Sequence, residues 1–332
     1  MGLRLLMLLL LLLPAQQLVA ASEAAANVPI YFSNPGAEVW NAVRQRDDLV
    51  LPARTQAPRP DDAVLIDIEG ENFRHFRDEK LTRYGGWAMA GILILLALYH
   101  LVHGPVRIVD GESGSRIERF KRYDLILHWV LAGTFLILAV TGLLFLFGRL
   151  VIIPWLGIEA FGPIALAGKW IHNLLGPPFA VVLVLFFIRF VGKNLPRAAD
   201  IVWLAKLGGF LGNSHPPAGF FNAGEKILFW LLIVIGAGIS VSGLVLDFPF
   251  VVDSAREPLR LAQVIHGLTT VALMAVIIGH IYLGSVGTEG TLQSMTRGNV
   301  DTNWAKTHHS LWYEEVSSQQ GKPEKSADPE KS

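Results

Sequence analysis

Apolar side chains gather in five blocks along the chain, near residues 86–104, 125–147, 170–190, 227–247 and 263–283. A helix of about 20 residues, rising 1.5 Å per residue, crosses a hydrocarbon layer of about 30 Å. The pattern therefore predicts five membrane-spanning helices. The stretch 150–167 is also apolar, but Pro154, Pro163 and its glycines oppose a continuous helix, so an interfacial loop is expected there. Pro177-Pro178 predict a kink or a restart in the third helix. Residues 201–212 have the pattern of a short amphipathic stretch lying at the membrane surface.

The flanking segments are of other material. Residues 1–22 have the pattern of a secretory signal: Arg4, then Leu5 to Leu13, then Pro14 and small residues at Ala20 and Ala21. The competing reading is an uncleaved first span, but the apolar run is too short for the roughly 20 residues a span needs. Residues 23–84 are expected to form an exported segment, with Asn34-Pro35-Gly36 as a turn and Ala63-Val64-Leu65-Ile66 as strand-like; its His75 is expected at the surface. The tail 316–332, rich in Lys, Glu, Ser and Gln, is expected to be disordered.

Charge adds an orientation. The loops 104–124, 189–226 and 284–332 hold fifteen Lys and Arg, against four in 148–169 and 248–262. The positive-inside rule then places the C-terminus in the cytoplasm. Five spans and a cleaved signal place the mature N-terminus in the periplasm, across a bacterial inner membrane. Arg77, Lys80 and Arg83, just outside the first span, run against the rule, and an export already begun by the signal would override them. With 28 basic and 28 acidic residues the net charge is zero, so no nucleic-acid partner is expected. There is no cysteine, which excludes disulfides, iron–sulfur clusters, Cys-ligated zinc and covalently attached c-type haem on this chain.

An ionisable side chain inside a span is costly and marks a candidate site. His128 lies in the first turn of the second span, His172 at the start of the third, and His266 and His280 both on the fifth. The fourteen residues from His266 to His280 return to within roughly 40° of one helix face and rise about 21 Å. One imidazole thus lies near each surface. Depth pairs His128 with His280 towards the inner surface and His172 with His266 towards the outer. Two imidazoles at one depth on facing helices suit a six-coordinate b-type haem, held without cysteine. Two such haems would form an electron wire. The bland alternative is that each His only satisfies a backbone carbonyl. His100 and His103 are expected at the interface; His215, His308 and His309 lie in a loop and on the tail, and none of these five is assigned to haem.

The segment Phe221-Asn222-Ala223-Gly224-Glu225-Lys226 opens the fourth span. Asn222 with Glu225 three residues on is a capping-box pattern. Asn222 and the Gly224 backbone also suit the polar lip of a quinone pocket beside the inner haem, since helix-start donors favour an anionic oxygen. The two roles are compatible.

Residues 120–315 resemble the gamma subunit of respiratory formate dehydrogenases, the cytochrome b556 subunit. The resemblance rests on His128-Trp129, Ile171-His172, the run from Phe221 to Trp230, Ile265-His266, His280-Ile281-Tyr282, and the run from Trp304 to Tyr313. The segment 23–104, with Asn34-Pro35-Gly36-Ala37-Glu38-Val39-Trp40 and Tyr84-Gly85-Gly86-Trp87, looks like longer members of that family. The resemblance implies an all-α membrane protein: a four-helix dihaem cytochrome b bundle over 105–315, plus one extra N-terminal transmembrane helix at 85–104. It implies His172 and His266 as ligands of the outer haem b and His128 and His280 as ligands of the inner one. It implies that Asn222 and Gly224, beside His280, line a site for menaquinone or ubiquinone.

The expected function is to take electrons from an iron–sulfur (beta) subunit, itself fed by a molybdenum or tungsten catalytic (alpha) subunit, and to pass them through two haems to a membrane quinone. The extra span is expected to pack against an anchor of the iron–sulfur subunit. Alternatives are a cytochrome b subunit of a hydrogenase or thiosulfate reductase, and, in another class, a haem-free anchor or transporter.

Overall fold

A computed structural model describes residues 68–209, 214–252 and 256–320. The signal at 1–22, most of the segment 23–84 and the end of the tail from 321 lie outside the described residues. In chain order the elements are α1 (Ile68–His75), a π turn (Phe76–Leu81), α2 (Thr82–His103), β1 (Arg116–Glu118), α3 (Arg122–Val151), α4 (Ile153–Phe190), α5 (Ala198–Ala205), α6 (Ala223–Asp247), α7 (Arg256–Ser285), α8 (Thr291–Arg297), β2 (Asn299–Asp301), α9 (Thr302–His308) and α10 (Ser310–Gln320). Among the described residues, five helical stretches are long and apolar enough to cross a membrane, and they hold the five predicted blocks.

The described residues belong to two compact units, one containing 77–142 and 167 onward, the other 143–166 and the residues up to 76. In the larger unit α6 and α7 pack along their lengths, and α2 lies along α7. Small residues set that second approach: a Cβ on Gly85 would fall 3.0 Å from Val271, and one on Gly267 2.5 Å from Leu81. In the smaller unit the end of α3 meets the start of α4 through Gly148, where a Cβ would fall 2.5 Å from Phe161.

Three expectations need correction. Residues 153–167 are helical, not an interfacial loop. Pro154 sits in the first turn, where its missing N–H costs nothing, and the only non-helical backbone in α4 is at Gly157, with φ 77°. The helix also runs through Pro177-Pro178 without a break. Proline already has the helical φ, and membrane helices tolerate it where neighbouring groups take up the freed carbonyls. Helical residues reach back to 68 and forward to 320, into stretches expected to be an exported segment and a disordered tail.

The loops that charge assigned to one side converge in one cap. β1 and β2 pair antiparallel, Arg116 opposite Asp301, so the loop after α2 and the chain after α7 form one sheet. Trp304, Val300, Ala305 and Trp312 form its core with Ile108. Asp301 caps α9 by accepting from the Asn303 N–H at 2.8 Å, and it also accepts from the Ser113 and Gly114 N–H groups. The tail is therefore a folded part of the molecule as far as residue 320.

Candidate functional site

Two histidine pairs lie inside the larger unit. His128 on α3 faces His280 on α7, ring centroids 6.2 Å apart. His172 on α4 faces His266 on α7 at 6.1 Å. These are the pairs that depth predicted. Among the described residues no three His, Asp or Glu side chains converge on one metal position. Two ligands alone suit a metal that brings its own equatorial ligands, as haem iron does. The spacing fits: two metal–imidazole bonds of about 2 Å, plus roughly 1 Å from each nitrogen to its ring centre, add to about 6 Å.

The local partners fix the tautomers at the second pair. Thr141 donates its hydroxyl proton to the Ile137 carbonyl at 2.9 Å, so its oxygen accepts from His172 Nδ1 at 2.7 Å. His266 Nδ1 lies 3.1 Å from the Ile239 carbonyl, which only accepts, and 3.2 Å from Ser242 Oγ. Both Nδ1 atoms therefore carry the proton, and both Nε2 atoms keep a lone pair of the kind that can bind a metal. Glycines flank the rings: a Cβ on Gly243 would fall 3.1 Å from His266 Cε1, and one on Gly142 3.7 Å from His172 Cε1. Thr141, Ser242 and these glycines were not singled out in the sequence. Their signal was position, one residue apart on each facing helix. At the first pair His128 Nδ1 is buried with no protein partner among the described residues.

The helices are fastened at the His128 end. Asp124, at the start of α3 and 2% exposed, accepts from Arg189 Nε at 2.7 Å, and Arg189 also donates to the Tyr123 hydroxyl. His100 and His103 do not join a metal pair: His100 Nδ1 lies 3.1 Å from the Tyr282 hydroxyl, and His103 stacks on Tyr99.

Asn222 and Gly224 come together at the start of α6. The Asn222 side chain accepts from the Glu225 N–H at 2.9 Å, and Glu225 Oε2 accepts from the Asn222 N–H at 2.8 Å, a complete capping box. Among the described residues, the box engages the Asn222 side-chain oxygen and no hydrogen bond takes up its amide NH₂. Trp203 of α5 stands over Gly224, where a Cβ would fall 2.8 Å from Cη2. The contacts described for Asn222 and Gly224 do not include His280. A cavity of about 30 Å³ lined by Lys193, Arg197, Gly219, Phe220, Phe221 and Lys226 lies alongside; it has room for a water, not for a quinone ring.

Behind this helix start lies a buried ionic group that sequence reasoning missed. Arg119, its side chain 1% exposed, donates to the Phe220 carbonyl at 2.7 Å and to Glu225 at 3.1 Å. Its guanidinium stacks 4.8 Å from the Trp304 ring. Burial lowers the Arg119 pKa and Glu225 opposes that shift, and a guanidinium stays cationic in either case. His309 Nδ1 lies 2.8 Å from the Gly219 carbonyl. No spacing rule links residues 119, 225 and 309; only the folded cap does.

Comparison with known proteins identifies the family. The family model for prokaryotic cytochrome b561 matches residues 115–298, a stretch that holds all four paired histidines. The chain is 32% identical over 217 residues to the nitrate-inducible formate dehydrogenase cytochrome b556(Fdn) subunit of Escherichia coli K12, covering 97% of that protein and 64% of this chain. It is 33% identical over 202 residues to the formate dehydrogenase cytochrome b556(fdo) subunit of the same strain, covering 93% of it and 60% of this chain. With the formate dehydrogenase cytochrome b556 subunit of Haemophilus influenzae the identity is 29% over 211 residues, 86% of that protein and 62% of this chain. The chain belongs to the prokaryotic cytochrome b561 family, among the cytochrome b556 subunits of formate dehydrogenases.

Proposed function

We propose that this chain is the electron-carrying membrane subunit of a formate dehydrogenase. It accepts electrons from an iron–sulfur subunit fed by a molybdenum or tungsten subunit, and delivers them through two b-type haems to a membrane quinone. The observation that carries this reading is the stacking of two facing histidine pairs on one helix, His266 and His280 of α7 meeting His172 and His128. Bound haem supplies one-electron redox chemistry; the chain has no cysteine for an iron–sulfur centre of its own.

The residues define the division of labour. His172 and His266, held in the ligating tautomer by Thr141, Ser242 and Ile239, bind the haem on the side where electrons enter. His128 and His280 bind the one beside the cap. The Asn222 amide and the Gly224 backbone hold a quinone oxygen at the start of α6. The excess of basic residues in the loops of the cap supports a cytoplasmic cap, and protons for the quinol then come from that side. Formate oxidised in the periplasm then separates charge across the membrane.

The test is His280→Ala in the assembled complex. The expected result is loss of the cap-side haem and of quinone reduction, with formate oxidation by an artificial dye retained. Normal quinone reduction in that variant would overturn the wiring.

A further inference from the structure

The cap holds a row of titratable groups that the wiring does not use. His215 is exposed, and its ring centre lies 6.4 Å from that of His308. His308 is partly buried, and its Nε2 finds no protein partner among the described residues. His308 and His309 both lie against the Trp304 ring, at 5.3 and 5.0 Å. His309 is 1% exposed, and its Nε2 is 3.7 Å from Glu225 Oε2. That same carboxylate oxygen accepts the Asn222 N–H at 2.8 Å. The row runs from solvent to the start of α6.

The hydrogen bonds show where a proton would sit. Gly219 offers only a carbonyl, so the neutral His309 ring carries its proton on Nδ1. Nε2 then presents a lone pair to a carboxylate oxygen. The two acceptors, a buried ring and a half-buried carboxylate, face across 3.7 Å, so a proton on Nε2 would lie between them and pass on through a small approach or one bridging water. We propose that the His309–Glu225 pair, reached from solvent through His215 and His308, supplies the protons taken up by a quinone reduced at Asn222. The inference rests on the quinone reading of Asn222 and Gly224.

The charges make uptake depend on reduction. Arg119 and Glu225 neutralise one another, and His308 and His309 complete the set facing the pair. On the far side of Phe220, Lys193 lies 3.7 Å from its ring centre, and Lys226 is paired with Asp200. Burial first, then Arg119, holds His309 well below the usual imidazole range; burial, His215 and Arg119 hold His308 at about 4. A proton added at rest therefore leaves this group with an uncompensated positive charge. When two electrons from the donor complex reach the quinone, its oxygens become the strongest bases nearby. Each takes a proton from the pair, an O–H bond forming on the quinone as that proton leaves, and water reloads the pair through His215 and His308.

His309→Asn is the informative variant, because the Asn amide can still donate to the Gly219 carbonyl while the Nε2 acceptor is lost. In the formate dehydrogenase complex, with turnover normalised to formate-reducible haem, we expect kcat for quinone reduction to fall at least tenfold. The quinone KM should not move, and the deficit should grow as pH rises. Unchanged kcat and pH profile would overturn the relay. If His309→Asn does not assemble, His308→Asn is expected to give the same pH-dependent loss, and wild-type kinetics there would overturn the relay equally. Asn222→Ser, which keeps the helix cap, separates the two readings. A raised quinone KM there with normal His309→Asn kinetics sinks the relay alone. An unchanged KM places the quinone elsewhere and sinks both.

Discussion

At the scale of single residues, each histidine in the second pair depends on one hydroxyl or carbonyl. Thr141 passes its own proton to the backbone and so can only accept from His172, which leaves the Nε2 lone pair for the proposed iron ligation. Removing such a partner of a metal-bound imidazole costs about 10–100-fold in affinity. Thr141→Val is therefore expected to speed haem loss to excess apomyoglobin by that order, for one haem of the two, with the His128/His280 haem unaffected. Loss at the wild-type rate for both would show that Thr141 does not orient the ligand. The four histidines were legible in the sequence because helix geometry converts a fourteen-residue spacing into one face and two depths. Thr141 and Ser242 were not legible, because a hydroxyl bonded to its own helix is common inside spans. Arg119 was hidden for a different reason. It is one of five basic residues in the loop 104–124, and only the fold surrounds it with Trp304, Glu225 and Phe220.

At the scale of elements, α2 packs on α7 through Gly85 and the face around Val271. The ideal Cβ of Gly85 would lie 3.9 Å from the Val271 Cβ, within the range that a disulfide spans. The chain has no cysteine of its own, so Gly85→Cys with Val271→Cys is expected to cross-link efficiently under oxidation. The readout is a reducible link between fragments cut in the loop 104–121. Failure to form the link would remove α2 from this face of α7. The five spans were legible because apolar blocks of that length have few alternatives. The run 150–167 is harder to read, because its prolines and glycines oppose a helix, yet Pro154 falls in the first turn, where its missing N–H costs nothing, and only Gly157 leaves helical geometry.

The cap titrates as an element. Burial alone would raise the Asp301 carboxyl, but bonds from the backbone of Ser113 and Asn303, the Ser113 hydroxyl and the Gly114 N–H outweigh it and leave the pKa below the usual range. A depressed acid stabilises the fold above its unfolded value near 4 and loses that contribution as pH falls. His308, held at about 4 against an unfolded value of about 6.5, loses stability across that interval in the same direction. The cap is thus expected to loosen as pH falls from about 6.5 towards 4, read as a shift in tryptophan emission that His308→Asn reduces. A cap equally stable at both ends of that range would contradict the buried placement of His308.

At the scale of the whole molecule, five helices carry a folded cap made from three loops that sequence reading treated as connections and a tail. The charge count anticipated their common side, because alternate crossings put every second loop together. It did not anticipate that they fold, since the cap's core of Val300, Trp304, Ala305 and Trp312 is too short to register as an apolar block. The cap holds Glu225 and Asn222 together at the start of α6, and α7 contributes one histidine to each facing pair. Two stacked histidine pairs lead to the expectation that this single chain holds two b-type haems. The most direct measurement is a dithionite-reduced minus oxidised spectrum of the purified chain made with haem available, with haem quantified per polypeptide. The expected result is two b-type haems per chain, falling to one in His280→Ala. One haem in the unaltered chain, or none in folded protein, would contradict it.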